Sequence, residues 1–178
     1  MFDQLLLVNP KAIPYRLQKI QSFRARANLY RFLKNEDKAK EDETLAFTLL
    51  GEVSRDNASL DWVTGFEAMQ QSIAWVREIR LGNLDNIEST AEKFLQTAKP
   101  SIKADVKYNV ACAFALASSL SSEKKEDCAL RAIAILNELV AADYFKQKER
   151  FENLRRDTDL QSLHDRADFR AFVKSIGK

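Results

Sequence analysis

The sequence predicts an all-α fold, an α-solenoid of about three antiparallel helix pairs closed by a C-terminal capping segment. Glycine and proline, which are frequent in the turns of all-β folds, number only 4 and 3 among 178 residues. Apolar residues recur every three or four positions, which is the spacing of helices with one buried face. A unit of two helices joined by a short polar turn occurs three times in series, which indicates stacked repeats with one continuous core.

The first repeat covers about residues 14–55. Before it, residues 2–8 are expected to end a helix that stops at Asn9 and Pro10. The predicted buried face of its first helix consists of Leu17, Ile20, Phe23, Ala27, Tyr30, Phe32 and Leu33. Its second helix, from about Asp37 to Val53, is expected to bury Ala39, Leu45, Ala46, Leu49, Leu50 and Val53.

The second repeat covers about residues 60–98 and the third about residues 102–142. The second repeat opens with a helix that Gly82 ends, because glycine suits the position after a helix C-terminus. The predicted buried stripe of that helix is Trp62, Phe66, Met69, Ile73, Val76 and Arg80. The third repeat opens with an alanine-rich helix over about residues 102–120. First helices thus begin near residues 14, 60 and 102, a period of roughly 42–46 residues.

Residues 143–178 form the predicted cap of a single domain that spans residues 1–178. A short helix, a capping turn at Asp157 and a last helix N-capped by Asp165 are expected here. The apolar side of this segment consists of Leu154, Leu160, Leu163, Phe169, Phe172 and Val173. We expect the segment to cover the end of the stack, although it could instead fold into the groove and block it.

Composition excludes several classes of function. A net charge of +2, with both signs mixed along most segments, is not typical of a nucleic-acid-binding protein. No stretch approaches the roughly 20 apolar residues of a membrane span, and no basic N-terminal region of a signal peptide is present. We therefore expect a cytoplasmic protein that binds neither nucleic acid nor membrane.

Catalytic and metal-binding patterns are missing from the sequence. The single histidine, His164, has no evident catalytic partner, and Cys112 and Cys128 are expected to be buried free thiols. No glycine-rich phosphate loop occurs. We predict no enzymatic activity, no cofactor and no metal. The aromatic residues at helical spacing are expected to pack in the core, or alternatively to form a pocket for a peptide anchor.

Three segments resemble the tetratricopeptide-repeat family. Residues 108–117 read YNVACAFALA and resemble the YNxACxxALA helix of terminal repeats in bacterial proteins. Ala27 with Ala39 and Ala46 is similar to the small-residue pairs of the family, and residues 154–169 resemble its closing segment. The resemblance implies a right-handed solenoid and covers about residues 14–176. It departs in period, since the family unit has roughly 34 residues, and in the long turn at residues 118–124.

The resemblance implies a non-catalytic scaffold that binds a peptide or helix of another protein in a concave groove lined by first helices. The predicted groove residues are Gln21, Arg24, Asn28, Arg31 and Asn109. This pattern is similar to the basic and amide residues with which some family members bind a peptide's terminal carboxylate. An alternative is a module that self-associates through the apolar end at Phe2, Leu5, Leu6, Leu7 and Val8. The chain could also be the C-terminal part of a larger signalling protein, such as a bacterial Ser/Thr kinase.

Overall fold

The computed structural model describes residues 12–177, apart from the side chains of Asp61 and Trp62. It confirms the all-α prediction, since these residues form helices and no strand. The α-helices are α1 (Ile13–Phe32), α2 (Glu36–Asp56), α3 (Asp61–Arg80), α4 (Ile87–Thr97), α5 (Lys103–Leu120), α6 (Lys125–Ala141), α7 (Lys148–Arg156) and α8 (Ala167–Ile176). Short 3₁₀ helices lie at Tyr144–Lys146 and Thr158–Leu163. None of the helices within 12–177 is long and apolar enough to cross a membrane.

The chain divides into two compact units, Met1–Glu67 and Ala68–Lys178, called here the N-terminal and C-terminal units. The predicted N-terminal helix and its apolar surface at residues 2–8 lie outside the described residues. Each unit has a hydrophobic core of its own.

The N-terminal unit is built on the pair α1 and α2. Lys34 adopts a left-handed conformation (φ 56°) in the turn, and Asn35 caps α2 by accepting a hydrogen bond from the Lys38 amide at 3.2 Å. Ala27 and Ala39 are fully buried, so small side chains stand where the two helices pack. The core is formed by Ile20, Ala46, Leu50, Val53 and Val63.

Three apolar residues of this unit differ from the prediction that they are buried. Phe32 and Leu33 are 84% and 61% exposed. Phe32 stands about 140° around α1 from the buried Ala27, and Leu33 follows the last residue of the helix. Leu45 is 48% exposed, since it stands about 100° around α2 from the buried Ala46. The three-and-four spacing identified the helices correctly but assigned their buried faces too widely.

The C-terminal unit is centred on α5 and α6. Val106, Val110, Ala111, Ala113 and Ala115 of α5 are completely buried, so this alanine-rich helix contributes several small side chains to the core. Gly82 ends α3 with φ +93°, the left-handed conformation expected of a glycine at that position. Arg80, predicted in the buried stripe of α3, is instead half exposed, because the stripe passes through its neighbour Ile79.

The closing segment, residues 143–177, packs on this core. The 3₁₀ helix at Thr158–Leu163 contacts α5, and α8 contacts α6. Of the six apolar residues predicted for this segment, Val173 is partly buried. The other five are buried: Leu154, Leu160, Leu163, Phe169 and Phe172. The predicted N-cap at Asp165 is wrong, because Arg166 holds that position without a side-chain cap.

Candidate functional site

Acidic residues of α2 neutralise most of the arginines of α1. Arg16 is buried and donates to Asp56 at 2.6 Å and to Glu52 at 3.4 Å. Arg26 makes a bidentate pair with the buried Asp42, with N···O distances of 2.6 and 2.5 Å. Hydrogen bonds from Arg26 hold the pKa of Asp42 below its usual range. These pairs join α1 to α2 and leave their guanidinium groups little capacity for an external ligand.

Arg31 also lies in the contact between α1 and α2. This differs from the prediction that its side chain points away from the partner helix. Its guanidinium bonds Glu43 and, at 3.3 Å, Glu36. Arg31 follows the fully buried Ala27 by four residues, and residues at that spacing share one helix face. One of its nitrogens, Nη1, is buried without a hydrogen-bond partner among the described residues.

Arg24 is the exception on this helix. It is half buried, and no carboxylate among residues 12–177 pairs with it. Partial burial lowers its pKa, because desolvation disfavours the charged form. Gln21 and Asn28, both exposed, stand one turn before and one turn after it on the same side of α1. Three of the predicted groove residues therefore form one polar stripe around an uncompensated cation.

Asn109, the remaining predicted groove residue, lies on α5 in the C-terminal unit. It is half buried, and its amide nitrogen donates to Ser72 Oγ at 2.8 Å. Ser72 is fully buried and donates in turn to the Met69 carbonyl at 2.8 Å. The amide nitrogen of Asn109 is therefore already engaged in a hydrogen bond within the C-terminal unit. Two residues before Ser72, Gln70 is buried, and its Oε1 atom accepts no hydrogen bond from the described residues.

Asp157 is the centre of a polar cluster between α5 and the closing segment. Its Oδ1 caps the 3₁₀ helix by accepting from the Asp159 amide at 3.0 Å, and its Oδ2 accepts from the Tyr108 hydroxyl at 2.8 Å. The Cys112 thiol also faces Oδ2, at 3.7 Å. Asp159 is paired with Arg80 at 2.5 Å. These contacts, called here the Asp157 latch, bind the closing segment to α3 and α5.

The same cluster offers the one set of possible metal ligands in the described part of the chain. One atom each of Cys112, Asp157 and Asp159 lie within 4.8 Å of one another. Burial and the two neighbouring carboxylates raise the pKa of the Cys112 thiol, so the protonated form prevails. Both Asp157 oxygens already accept hydrogen bonds. The contacts fit a hydrogen-bonded structural latch better than a metal centre.

Cys128 and His164 lie outside this cluster. Cys128 is buried on α6, and burial raises the pKa of its thiol. His164 is exposed, and its ring stacks on Phe169 with centroids 5.6 Å apart. The aromatic side chains at helical spacing mainly support the cores, since Trp75 packs against Phe94 at 5.4 Å and Phe114 is buried.

Sequence reasoning missed a second surface, a depression on α8 called here the α8 depression. Its lining consists of Arg155, His164, Phe169, Arg170, Val173 and Lys174, and its volume is about 320 Å³. The only signal in the sequence is the pair Arg170 and Lys174 at a spacing of four, which places two like charges on one face of α8.

No protein-family model, curated protein or solved structure matches this chain.

Proposed function

We propose that the chain is a non-catalytic protein-interaction module of the tetratricopeptide kind, with its helix pairs arranged as a solenoid. The polar stripe on α1 binds an extended peptide of a partner protein, and Arg24 binds a carboxylate of that peptide. The observation that carries the proposal is the unpaired, half-buried guanidinium of Arg24 on a helix whose other described arginines are paired with acids of α2. No cofactor is needed for this function.

The energetics favour an external anion at Arg24. A partly desolvated cation is costly until an anion approaches it. For Arg16, Arg26 and Arg31, the paired carboxylates of α2 offset the free-energy cost of desolvation. For Arg24, a carboxylate of a ligand would offset this cost. The planar guanidinium group is suited to binding a carboxylate through two parallel hydrogen bonds.

The neighbours of Arg24 suit a peptide better than a small anion. Gln21 and Asn28 each carry an amide that can both donate to and accept from a peptide backbone. Their spacing on α1 extends the polar surface by one turn on either side of the cation. The stripe therefore matches an extended chain that ends in a carboxylate.

The test begins with selecting ligands from a random library of peptides that carry a free C-terminus. Affinities are then measured for the wild type, for Arg24→Gln and for Arg55→Gln, a control that removes one positive charge from an exposed site on α2. We expect Arg24→Gln to weaken binding by about tenfold or more, since a charged hydrogen bond contributes about 1.5–3 kcal/mol. Amidation of the peptide C-terminus should have a similar effect. Equal affinities for the two variants would refute the assignment.

A second candidate function, self-association, is favoured by a different observation. Leu29, Phe32 and Leu33, at the end of α1, are 54%, 84% and 61% exposed. Adjacent exposed apolar side chains are typical of an interface. If this surface joins two copies, light scattering should show a mass that rises with concentration in the wild type and stays monomeric in Phe32→Ser. A monomeric wild type at high concentration would exclude this function.

A further inference from the structure

We propose that the α8 depression binds a second, acidic peptide segment of a partner protein, with one apolar side chain of that segment inserted between the cations. This site is independent of the α1 stripe and goes beyond the function proposed above. It is formed entirely within the C-terminal unit, from the end of α7, the residue after the 3₁₀ helix, and α8.

The charge of the lining selects an anion. Arg155, Arg170 and Lys174 contribute three cations, and no carboxylate of the described chain lines the depression. The acidic residue of the first turn of α8, Asp168, is already bonded to Arg166 at 2.8 Å. The positive charge of the rim is therefore not compensated locally, and an acidic ligand would be attracted to it.

The floor of the depression selects an apolar group. Phe169 is buried beneath the stacked His164 ring, and Val173 is partly exposed beside it. Arginine and lysine commonly extend their aliphatic stems along such surfaces and keep their charges in water. Arg155 is additionally placed over the Phe151 ring, with Cζ 5.9 Å from the ring centroid. The site combines a carbon-rich floor with a cationic rim.

The size and charge distinguish between classes of ligand. A volume of about 320 Å³ is near the lower limit of ligand sites, which span about 300–1,000 Å³, and suits a single side chain rather than a cofactor. Binding to anionic membranes typically relies on clusters of about four to eight basic residues. Three cations around one small depression fit a short acidic peptide with an aromatic or aliphatic anchor.

The experiment uses the full chain and a random peptide library with both ends blocked, which removes the terminal carboxylate that Arg24 is proposed to bind. The test variant is Arg170→Glu with Lys174→Glu. The control is Lys93→Glu with Lys103→Glu, two exposed lysines of the same unit that do not line the depression and that change the net charge equally. Circular dichroism and thermal unfolding establish that both variants are folded.

We expect the library to yield acidic peptides with a common apolar residue. Their affinity should fall by at least about tenfold in the test variant and remain within about twofold in the control. Replacing the apolar residue of a selected peptide by serine, which leaves the protein unchanged, should weaken binding comparably. Higher salt should also weaken it.

Several results would overturn the proposal. These are a library without enriched acidic peptides, equal losses in the test and control variants, or a selected peptide that binds equally well with serine at the apolar position. Binding of the chain to vesicles of anionic lipid, lost in the test variant while peptides fail to bind, would assign the depression to a membrane surface instead. Arg24→Gln should leave these blocked peptides unaffected, so failure here is separable from failure of the α1 assignment.

Discussion

Replacing Asp157 by alanine should destabilise the C-terminal unit strongly, because one carboxylate serves as acceptor for several donors. The substitution removes the cap on the Asp159 amide and the acceptor of the Tyr108 hydroxyl. It also removes the oxygen that faces the Cys112 thiol. Tyr108 is only 7% exposed, so its hydroxyl would have little access to water as a substitute.

The magnitude follows from these contacts. Leaving a buried donor without an acceptor costs about 1–3 kcal/mol, and loss of a cap costs about 0.5–2 kcal/mol. We expect Asp157→Ala to lower the free energy of unfolding by about 2–4 kcal/mol. Asp157→Asn keeps one acceptor oxygen and should lose less. Asp165→Ala, at an exposed aspartate of the same segment, should change stability by no more than about 0.5 kcal/mol.

The assay should report on the C-terminal unit alone, because the two units could unfold separately. Cys112 and Cys128 both lie in this unit and are buried. Pulsed labelling of the two thiols across a urea gradient therefore gives its unfolding midpoint, and linear extrapolation gives the free energy. A double-mutant cycle with Tyr108→Phe isolates the hydroxyl-to-carboxylate contribution.

Two results would refute this reasoning. The first is an Asp157→Ala variant as stable as Asp165→Ala, which would mean that the latch makes no net contribution. The second is additive effects of Asp157→Ala and Tyr108→Phe, which would mean that the two groups do not interact. A loss seen only at Asp157, with coupling to Tyr108, supports the latch.

Four further predictions concern individual residues. Gly51→Ala should stabilise by about 0.5–1 kcal/mol, because the added Cβ meets only a side-chain oxygen at 3.9 Å. Gly82→Ala should destabilise by about 1–2 kcal/mol, because φ is +93° there; urea unfolding measures both. The pKa of Asp42 is lowered in the folded state, so its stabilisation is present above its unfolded pKa of about 3.9 and lost as pH falls through the folded value. Asp42→Asn should therefore be less stable than wild type at neutral pH and converge with it in acid, as measured by pH-dependent urea unfolding. Cys112 and Cys128, with raised pKa values and buried sulfurs, should react with iodoacetamide far more slowly than a free thiol, as mass spectrometry can follow.

Each of these predictions has a contradicting outcome. Equal effects of alanine at the two glycines would show that backbone conformation does not distinguish them. A stability difference for Asp42→Asn that persists unchanged into acid would show that its charge is not involved. Rapid labelling of either thiol in the native chain would contradict its burial.

The helices could be predicted from the sequence because the three-and-four spacing of apolar residues is a local pattern. The closing segment was predicted well for the same reason, since Leu160, Leu163 and Phe169 are apolar residues in an otherwise polar stretch, and all three are buried. The predicted buried face was wrong where it was displaced by one residue along a helix. Arg80 was assigned to the buried face of α3, whereas its neighbour Ile79 is the buried residue. One residue shifts a side chain by about 100° around the helix.

The candidate site was only partly predictable, because partners distant in sequence decide which charges are available. Nothing in the local pattern distinguishes Arg24 from Arg31, yet Arg31 is paired with Glu43, twelve residues away, and Arg24 has no carboxylate partner in the described chain. The α8 depression brings Arg155 beside Arg170 for the same non-local reason. Whether a charged side chain has a partner depends on how the helices pack, and the spacing of apolar residues along the sequence does not specify that packing.

The most direct test of the proposed function is the NMR signal of the Arg24 side-chain Nε–H group during titration with a selected peptide that has a free C-terminus. If Arg24 binds the peptide carboxylate, its signal should move progressively to saturation, while the signals of Arg16 and Arg26, held by acids of α2, should stay in place. A peptide that binds while the Arg24 signal remains unchanged would contradict the central claim.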